Sequence, residues 1–270
     1  MISVLVLQLS VTIFVILSIA LVVNQLLKIS LNKSFIISIC LIILISMLLH
    51  KLNLYKFTIN ILIIISIIPF LFLKIRNNIL EQKSLIAEFI TLLLSLFFLS
   101  FDRILMDEDE LYFWAVKFKY FVMHFTDINN YNVNLIEEPY KFDGYGNSTA
   151  LFQSFINSFI GYNEGGAIFA NNIIILSAFY FLFGDRLKKF SERIIYLLIL
   201  YLVLNNLSFG FISIYADPIV AMFFAVLVYY LYSDFNYKNI KYLILLLILI
   251  ITFFEIHRIS ILFMGSLLIL

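Results

Sequence analysis

Four consecutive acids, Asp107-Glu108-Asp109-Glu110, stand in a chain of which only 13% is charged. Adjacent carboxylates repel one another, and a cation or a positive side chain nearby relieves that repulsion. Carboxylates are also costly beside lipid. Three chemistries fit the cluster: helix capping, coordination of a hard cation through oxygen, and general-base catalysis. Capping accounts for Asp107 as N-cap and Glu110 at N3, both favoured by the dipole of the helix that follows. It does not require Glu108 or Asp109. Asp217 is the second carboxylate of interest, because Tyr215-Ala216-Asp217-Pro218 is a short turn between two oily runs. Its plain reading is also a cap, with Asp217 before the helix and Pro218 in the first helical turn. Three cations can face such carboxylates or a phosphate. Lys117 lies seven residues past Glu110, on nearly the same helical face, and its plain reading is a snorkelling surface lysine. His257 and Arg258 form a turn, where Arg258 offers a forked donor array or simply snorkels at the interface. His124 and His50 read as surface and interface residues.

Composition sets the elements that must hold these residues. The chain is 63% hydrophobic over 270 residues, with a mean hydropathy of +1.06. Apolar runs long enough to cross a bilayer recur from end to end, a pattern foreign to water-soluble domains. A net charge of +1 carries no nucleic-acid signal, and Cys40, the single cysteine, excludes a disulfide or a cysteine-metal site within the chain. The first apolar run, 2–23, lacks a basic leading segment and a small-residue cleavage site, so it reads as a retained helix.

The expected fold is all-α: a polytopic transmembrane helix bundle of eight or nine spans, with amphipathic helices in one large outer loop. Spans are expected near 3–23, 35–50, 57–73, 85–101, 165–184, 194–213, 218–233 and 241–254. A last apolar run, 259–270, is short for a crossing; it reads as a re-entrant segment or, in preference, as the mark of a chain truncated at its C-terminus. Lys28 and Lys33, then Lys74, Arg76 and Lys83, then Arg186, Lys188, Lys189 and Arg193, then Lys238 and Lys241 fall in alternate connections. By the positive-inside rule those connections face the cytoplasm. Lys51 and Lys56 dissent weakly. The segment 102–148, the Asp217 turn and the His257-Arg258 turn then face outward from the cytoplasmic membrane. Charge divides the single domain further. Residues 1–101 read as scaffold, 102–164 as the loop bearing the candidate site, and 165–270 as further spans. Nine of the chain's 17 acids fall in 102–148, against only Glu81 and Glu88 in the first hundred residues.

Within the outer segment, 107–125 reads as an amphipathic helix along the membrane surface, since Leu111, Trp114, Ala115, Phe118, Phe121, Val122 and Phe125 follow helical spacing. Pro139, Gly144 and Gly146 break the chain. A second helix, 148–160, carries Phe152, Phe155, Ile156 and Phe159 on one face and Gln153 and Asn157 on another. It is expected in the outer layer because it is too short and polar to span. Asn60, Asn171-Asn172 and Asn205-Asn206 are expected to hydrogen-bond between helices. Glu88 is expected at the cytoplasmic interface, paired with Lys83, or else on an ion path.

Asp109-Glu110-Leu111-Tyr112-Phe113-Trp114-Ala115-Val116-Lys117-Phe118-Lys119 resembles the pattern Asp-x-x-x-x-Trp-x-x-Lys-Ala. That pattern belongs to the first large outer loop of bacterial polytopic glycosyltransferases of the GT-C type. Gly144-Tyr145-Gly146 stands where such proteins often carry Asp-Tyr-Pro. Tyr215-Ala216-Asp217-Pro218 is similar to their Tyr-Ala-Asp turn, and Glu255-Ile256-His257-Arg258 falls where a Lys-x-Glu-Gly-like turn is common. The likeness extends over roughly 100–260. It departs at Phe118, where a small residue is usual, and at Gly146, where proline is. The resemblance implies inverting transfer of a sugar from a polyprenyl-phosphate donor to a glycan or lipid acceptor on the outer face of the membrane. It implies Asp109 as general base or metal ligand, with Asp217 as its catalytic partner. It implies Glu108, Asp109 and Asp217 as ligands should Mg²⁺ or Mn²⁺ take part, and Trp114, Lys117, Asp143, Tyr145, His257 and Arg258 as substrate-binding residues. The other class that fits is a noncatalytic membrane protein or transporter subunit. In that reading the acids only cap helices.

Overall fold

A computed structural model describes residues 2–68, 79–101, 115–125, 148–159, 161–208, 217–234, 236 and 238–256. Among these residues the ordered elements are all helical. They are α1 (Ile2–Leu27), α2 (Leu31–Lys51), a 3₁₀ turn (Tyr55–Phe57), α3 (Thr58–Ile67) and α4 (Lys83–Ser100). They continue with α5 (Ala115–Phe125), α6 (Ser148–Ile156), α7 (Glu164–Phe183), α8 (Phe190–Ser208), α9 (Asp217–Tyr229) and α10 (Ile240–Ile256). A π-helical turn, Tyr230–Asp234, extends α9.

Five described segments are long and apolar enough to cross a membrane: Ser3–Leu27, Leu31–Lys51, Lys83–Ser100, Glu164–Phe183 and Asp217–Asp234. Their positions match five of the expected spans. The expected spans at 57–73, 194–213 and 241–254 correspond in part to α3, α8 and α10. The run 259–270 lies outside the described residues.

Helix α7 is the axis of the bundle. It packs against α2, α4, α6 and α9, and 17 of its 20 residues are buried. Apolar on every side, it shows little helical periodicity of polarity, as expected of a helix surrounded by others. Its start depends on small residues. Asn163 caps it by accepting from the Gly166 N–H at 2.7 Å. A Cβ on Gly165 would run into the carbonyl oxygens of Ser100 and Phe101, so the end of α4 can lie against α7 only because Gly165 has no side chain. Helix α8 lies at the edge, with Ile195, Leu198, Ile199, Leu202 and Val203 all exposed. In a bundle of this composition such a stripe is the surface offered to lipid.

The basic connections meet at one end of the bundle. Ser30 and Asn32 each donate to Asp185 at 2.7 Å. Lys33 pairs with Asp234 at 2.7 Å, Arg193 with Glu88 at 2.8 Å, and Lys241 donates to the Leu26 carbonyl. Glu88 therefore pairs with Arg193 and not with the expected Lys83, which is exposed. The reason is geometric. Arg193 is only 9% exposed and already donates to the carbonyls of Leu187 and Gly184. Both oxygens of Glu88 then complete its guanidinium at 2.8 Å. The Tyr180 hydroxyl also donates to Glu88, at 2.6 Å.

Two of the expected interhelical amides are in place. Gln153 on α6 donates to Asn171 on α7 at 3.0 Å, and Asn172 donates to Ser100 on α4 at 2.9 Å. Asn60, by contrast, is exposed.

Candidate functional site

The opposite end of the bundle gathers the start of α1, the end of α2, the 3₁₀ turn, α5, α6 and the starts of α7 and α9. Two features differ from the sequence expectation. The first is α6. It was expected in an outer layer, but all nine of its residues are buried, and it packs against α1, α2, α5, α7 and α10. Part of its polarity is matched, although the buried Ser148 and Thr149 hydroxyls and the Asn157 side-chain oxygen have no hydrogen-bond partner among the described residues. Gln153 finds Asn171, and Asn157 donates to the Gln153 carbonyl at 2.8 Å. Gln8 of α1 donates to the Phe155 carbonyl at 3.3 Å and accepts from the Phe159 N–H at 2.6 Å. Gln8 thus satisfies backbone groups that the end of α6 leaves open. Gly161, at φ +75°, then turns the chain out of the helix. Sequence reasoning passed over Gln8. The available signal was a lone amide in an otherwise apolar span, which needs a partner.

The second feature is α5. Its buried stripe of Ala115, Phe118, Phe121 and Val122 follows the expected spacing, but the helix is clamped within protein. It packs on α6 and the 3₁₀ turn. Phe121 meets the rings of His50 and Tyr55 edge-on at 5.1 and 5.9 Å. Phe118 meets Tyr162 at 5.1 Å, with Lys119 over the same ring. His50 is thus a packing residue of this end.

Lys117 is the unexpected member of α5. The snorkelling reading requires an exposed ammonium, yet Lys117 is 2% exposed. It lies one position from Phe118 on the side of the helix turned into the bundle, while its neighbour Lys119 is exposed. Burying a cation is costly unless it is paired or hydrogen-bonded. A lysine kept out of water is therefore held by local interactions.

Asp217 is exposed at the first residue of α9, with Pro218 following. This is the geometry expected of a first-turn acid before a proline. The site residues Glu108, Asp109, Trp114, Asp143, Tyr145, His257 and Arg258 lie outside the described residues. Of the site residues predicted from sequence, Lys117 and Asp217 are described, and both belong to this end of the bundle. Among the described residues no three His, Cys, Asp or Glu side chains are grouped closely enough to hold a metal ion. Asp217 is the one tentative metal ligand among them.

Near this end Tyr162 has its hydroxyl pKa pushed up to about 12, first by burial and then by the negative charge and hydrogen bond of Glu164. The phenol therefore stays protonated across the physiological range and serves as a neutral donor.

Comparison with protein-family models, with curated proteins and with solved structures finds no match to this chain.

Proposed function

We propose that the chain is a membrane glycosyltransferase of the GT-C type. In this reading it crosses the cytoplasmic membrane eight or nine times, with the basic end inside and the α5–α6 end outside. It moves a sugar from a polyprenyl-phosphate donor to a glycan or lipid acceptor, with inversion. The sequence resemblance along 100–260 motivates the family. The observation that carries the reading is the burial of Lys117, 2% exposed, on a helix held inside the protein. A lysine placed so is suited to the phosphate of a donor whose prenyl chain lies in the bilayer, because the Coulomb attraction is little screened there.

The chemistry asked of the other residues is modest. Asp109 accepts the proton of the acceptor hydroxyl as that oxygen attacks the anomeric carbon. The bond from that carbon to the donor phosphate breaks, and the polyprenyl phosphate leaves with its electron pair. A positioned general base contributes about 10²–10⁴-fold. Asp217 assists in holding the acceptor or the developing positive charge of the sugar, and Arg258 and His257 share the phosphate with Lys117. Carboxylates such as Glu108, Asp109 and Asp217 supply the oxygen ligands that Mg²⁺ or Mn²⁺ prefers.

Transfer of labelled sugar from polyprenyl-phosphate donors, measured in membranes containing the chain, tests the proposal. Asp109→Asn is expected to abolish transfer while leaving insertion intact. Full activity in that variant would remove the basis of the mechanism. A noncatalytic membrane protein is the second reading. The exposure of Asp217 at a helix start, where capping alone accounts for it, is the observation that favours it.

A further inference from the structure

A cavity of about 180 Å³ opens at the basic end, between the α1–α2 connection, the end of α7, the π-helical turn and the start of α10. Its charged lining is Lys28, Lys33, Asp185 and Asp234, two cations against two anions.

These four charges are not equally engaged. Lys33 and Asp234 neutralise one another at 2.7 Å, both side chains being under one-fifth exposed. Asp185 accepts from two neutral donors, Ser30 and Asn32, each at 2.7 Å. Its distance to Lys33 is 3.9 Å, and its side chain is 37% exposed. Lys28, exposed and at φ +56°, has neither an ion pair nor a hydrogen bond among the described residues. One full positive charge and one largely uncompensated negative charge are therefore left for a ligand. A simple anion would be repelled by Asp185, and a simple cation by Lys28. A zwitterion satisfies both.

The surroundings name the source of that zwitterion. Tyr230 and Tyr242 line the cavity beside the charges, the position aromatic side chains take at the headgroup level. Its floor is apolar, with Ile37, Phe181 and Leu245. Alongside it the helices present exposed apolar side chains, Leu26 on α1 and Ile240, Leu243 and Ile244 on α10. A headgroup in the cavity would have its acyl chains on that surface. We propose that the cavity is a lipid-headgroup site for a phospholipid with a primary ammonium, of the phosphatidylethanolamine class. Its phosphate sits at Lys28 and its ammonium donates to Asp185. A choline headgroup carries the same charges but has no N–H to donate, and a glycerol headgroup offers Asp185 neutral hydroxyls without a positive charge. This site lies at the opposite end of the bundle from α5 and α6 and is independent of the proposed transferase chemistry.

The test is lipid retention by the full-length chain, exchanged from micelles containing equal phosphatidylethanolamine, phosphatidylcholine and phosphatidylglycerol of one acyl composition and read by native mass spectrometry. Phosphatidylethanolamine is expected in roughly tenfold preference, the usual weight of one hydrogen bond to a charged group. Asp185→Asn should bring it down to the level of the other two, whereas Lys28→Gln, at the position facing the phosphate common to all three, should lower the retention of every lipid. Equal retention of all three lipids by the wild type overturns the proposal, as does unchanged total retention in Lys28→Gln, an exposed position whose substitution does not threaten folding. Soluble O-phosphoethanolamine separates a lipid site from a site for the free headgroup. Failure to displace the lipid at equal concentration supports the proposal, and displacement as effective as by the lipid itself overturns it.

Discussion

The pairing of Glu88 with Arg193 makes a quantitative prediction. Both side chains are 11% exposed, so screening by water is slight. Glu88→Ala leaves Arg193 with the Leu187 and Gly184 carbonyls but no counter-charge, and it removes the acceptor of Tyr180. Exposed ion pairs are worth about 0–1 kcal/mol, and polar contacts between membrane helices average about 0.6 kcal/mol. Removing one partner of a buried pair costs about 3–5 kcal/mol, because a charge is stranded. The low exposure and the two bonds of 2.8 Å to one guanidinium nitrogen place this site with the buried pairs, so roughly 3 kcal/mol is expected. Tyr180→Phe loses only a hydrogen bond to a carboxylate and should cost about 1.5 kcal/mol. The double variant Glu88→Leu/Arg193→Leu strands no charge, although the Leu187 and Gly184 carbonyls and the Tyr180 hydroxyl lose these partners, and it should recover part of the loss. Equilibrium unfolding in mixed micelles measures all of these. A Glu88→Ala loss below about 0.6 kcal/mol, or a double variant as unstable as the sum of the singles, would refute the reasoning.

Other outcomes follow from the same structure. Asp217→Asn keeps a good capping residue, so stability should change by less than about 0.5 kcal/mol. Under the transferase reading, sugar transfer should nonetheless fall by at least about tenfold; unchanged transfer would leave Asp217 a cap. Gly165→Ala forces α4 away from α7 at the Ser100 and Phe101 carbonyls and should destabilise by about 1–3 kcal/mol in the same unfolding assay; a neutral result would mean the two helices can separate freely. Tyr162 should titrate near 12 rather than at the ordinary 10, seen as the difference in ultraviolet titration between the wild type and Tyr162→Phe. Because the folded state raises this pKa, its contribution to stability is complete below 10 and is lost as pH climbs from 10 toward 12. A Tyr162 titration at 10 would show that neither burial nor Glu164 reaches the phenol.

Much of this architecture was legible from composition and spacing. Apolar runs name helices because bilayer thickness sets their length, and five described segments meet that standard where the runs predict them. The grouping of lysines and arginines in alternate connections foretells that residues 28–33, 185–193 and 234–241 share one end. The apolar face of α5 follows from its period, and the Asn171 and Asn172 contacts follow from the cost of a bare amide among oily helices. Lys117 and the partner of Glu88 were not legible. A lysine beside Phe118 reads as interfacial from its neighbours alone. Lys83 is the nearer cation to Glu88 along the chain, whereas Arg193 is 105 positions away.

Sequence by itself therefore determined the class of the protein, the helical identity of its segments and the clustering of its charges, because these depend on local hydrophobicity and on period. Tertiary structure alone decided which charge meets which, that α6 lies inside the bundle, and that Lys117 is shielded from solvent. Those outcomes depend on helices distant in sequence closing around a side chain, which no local pattern encodes.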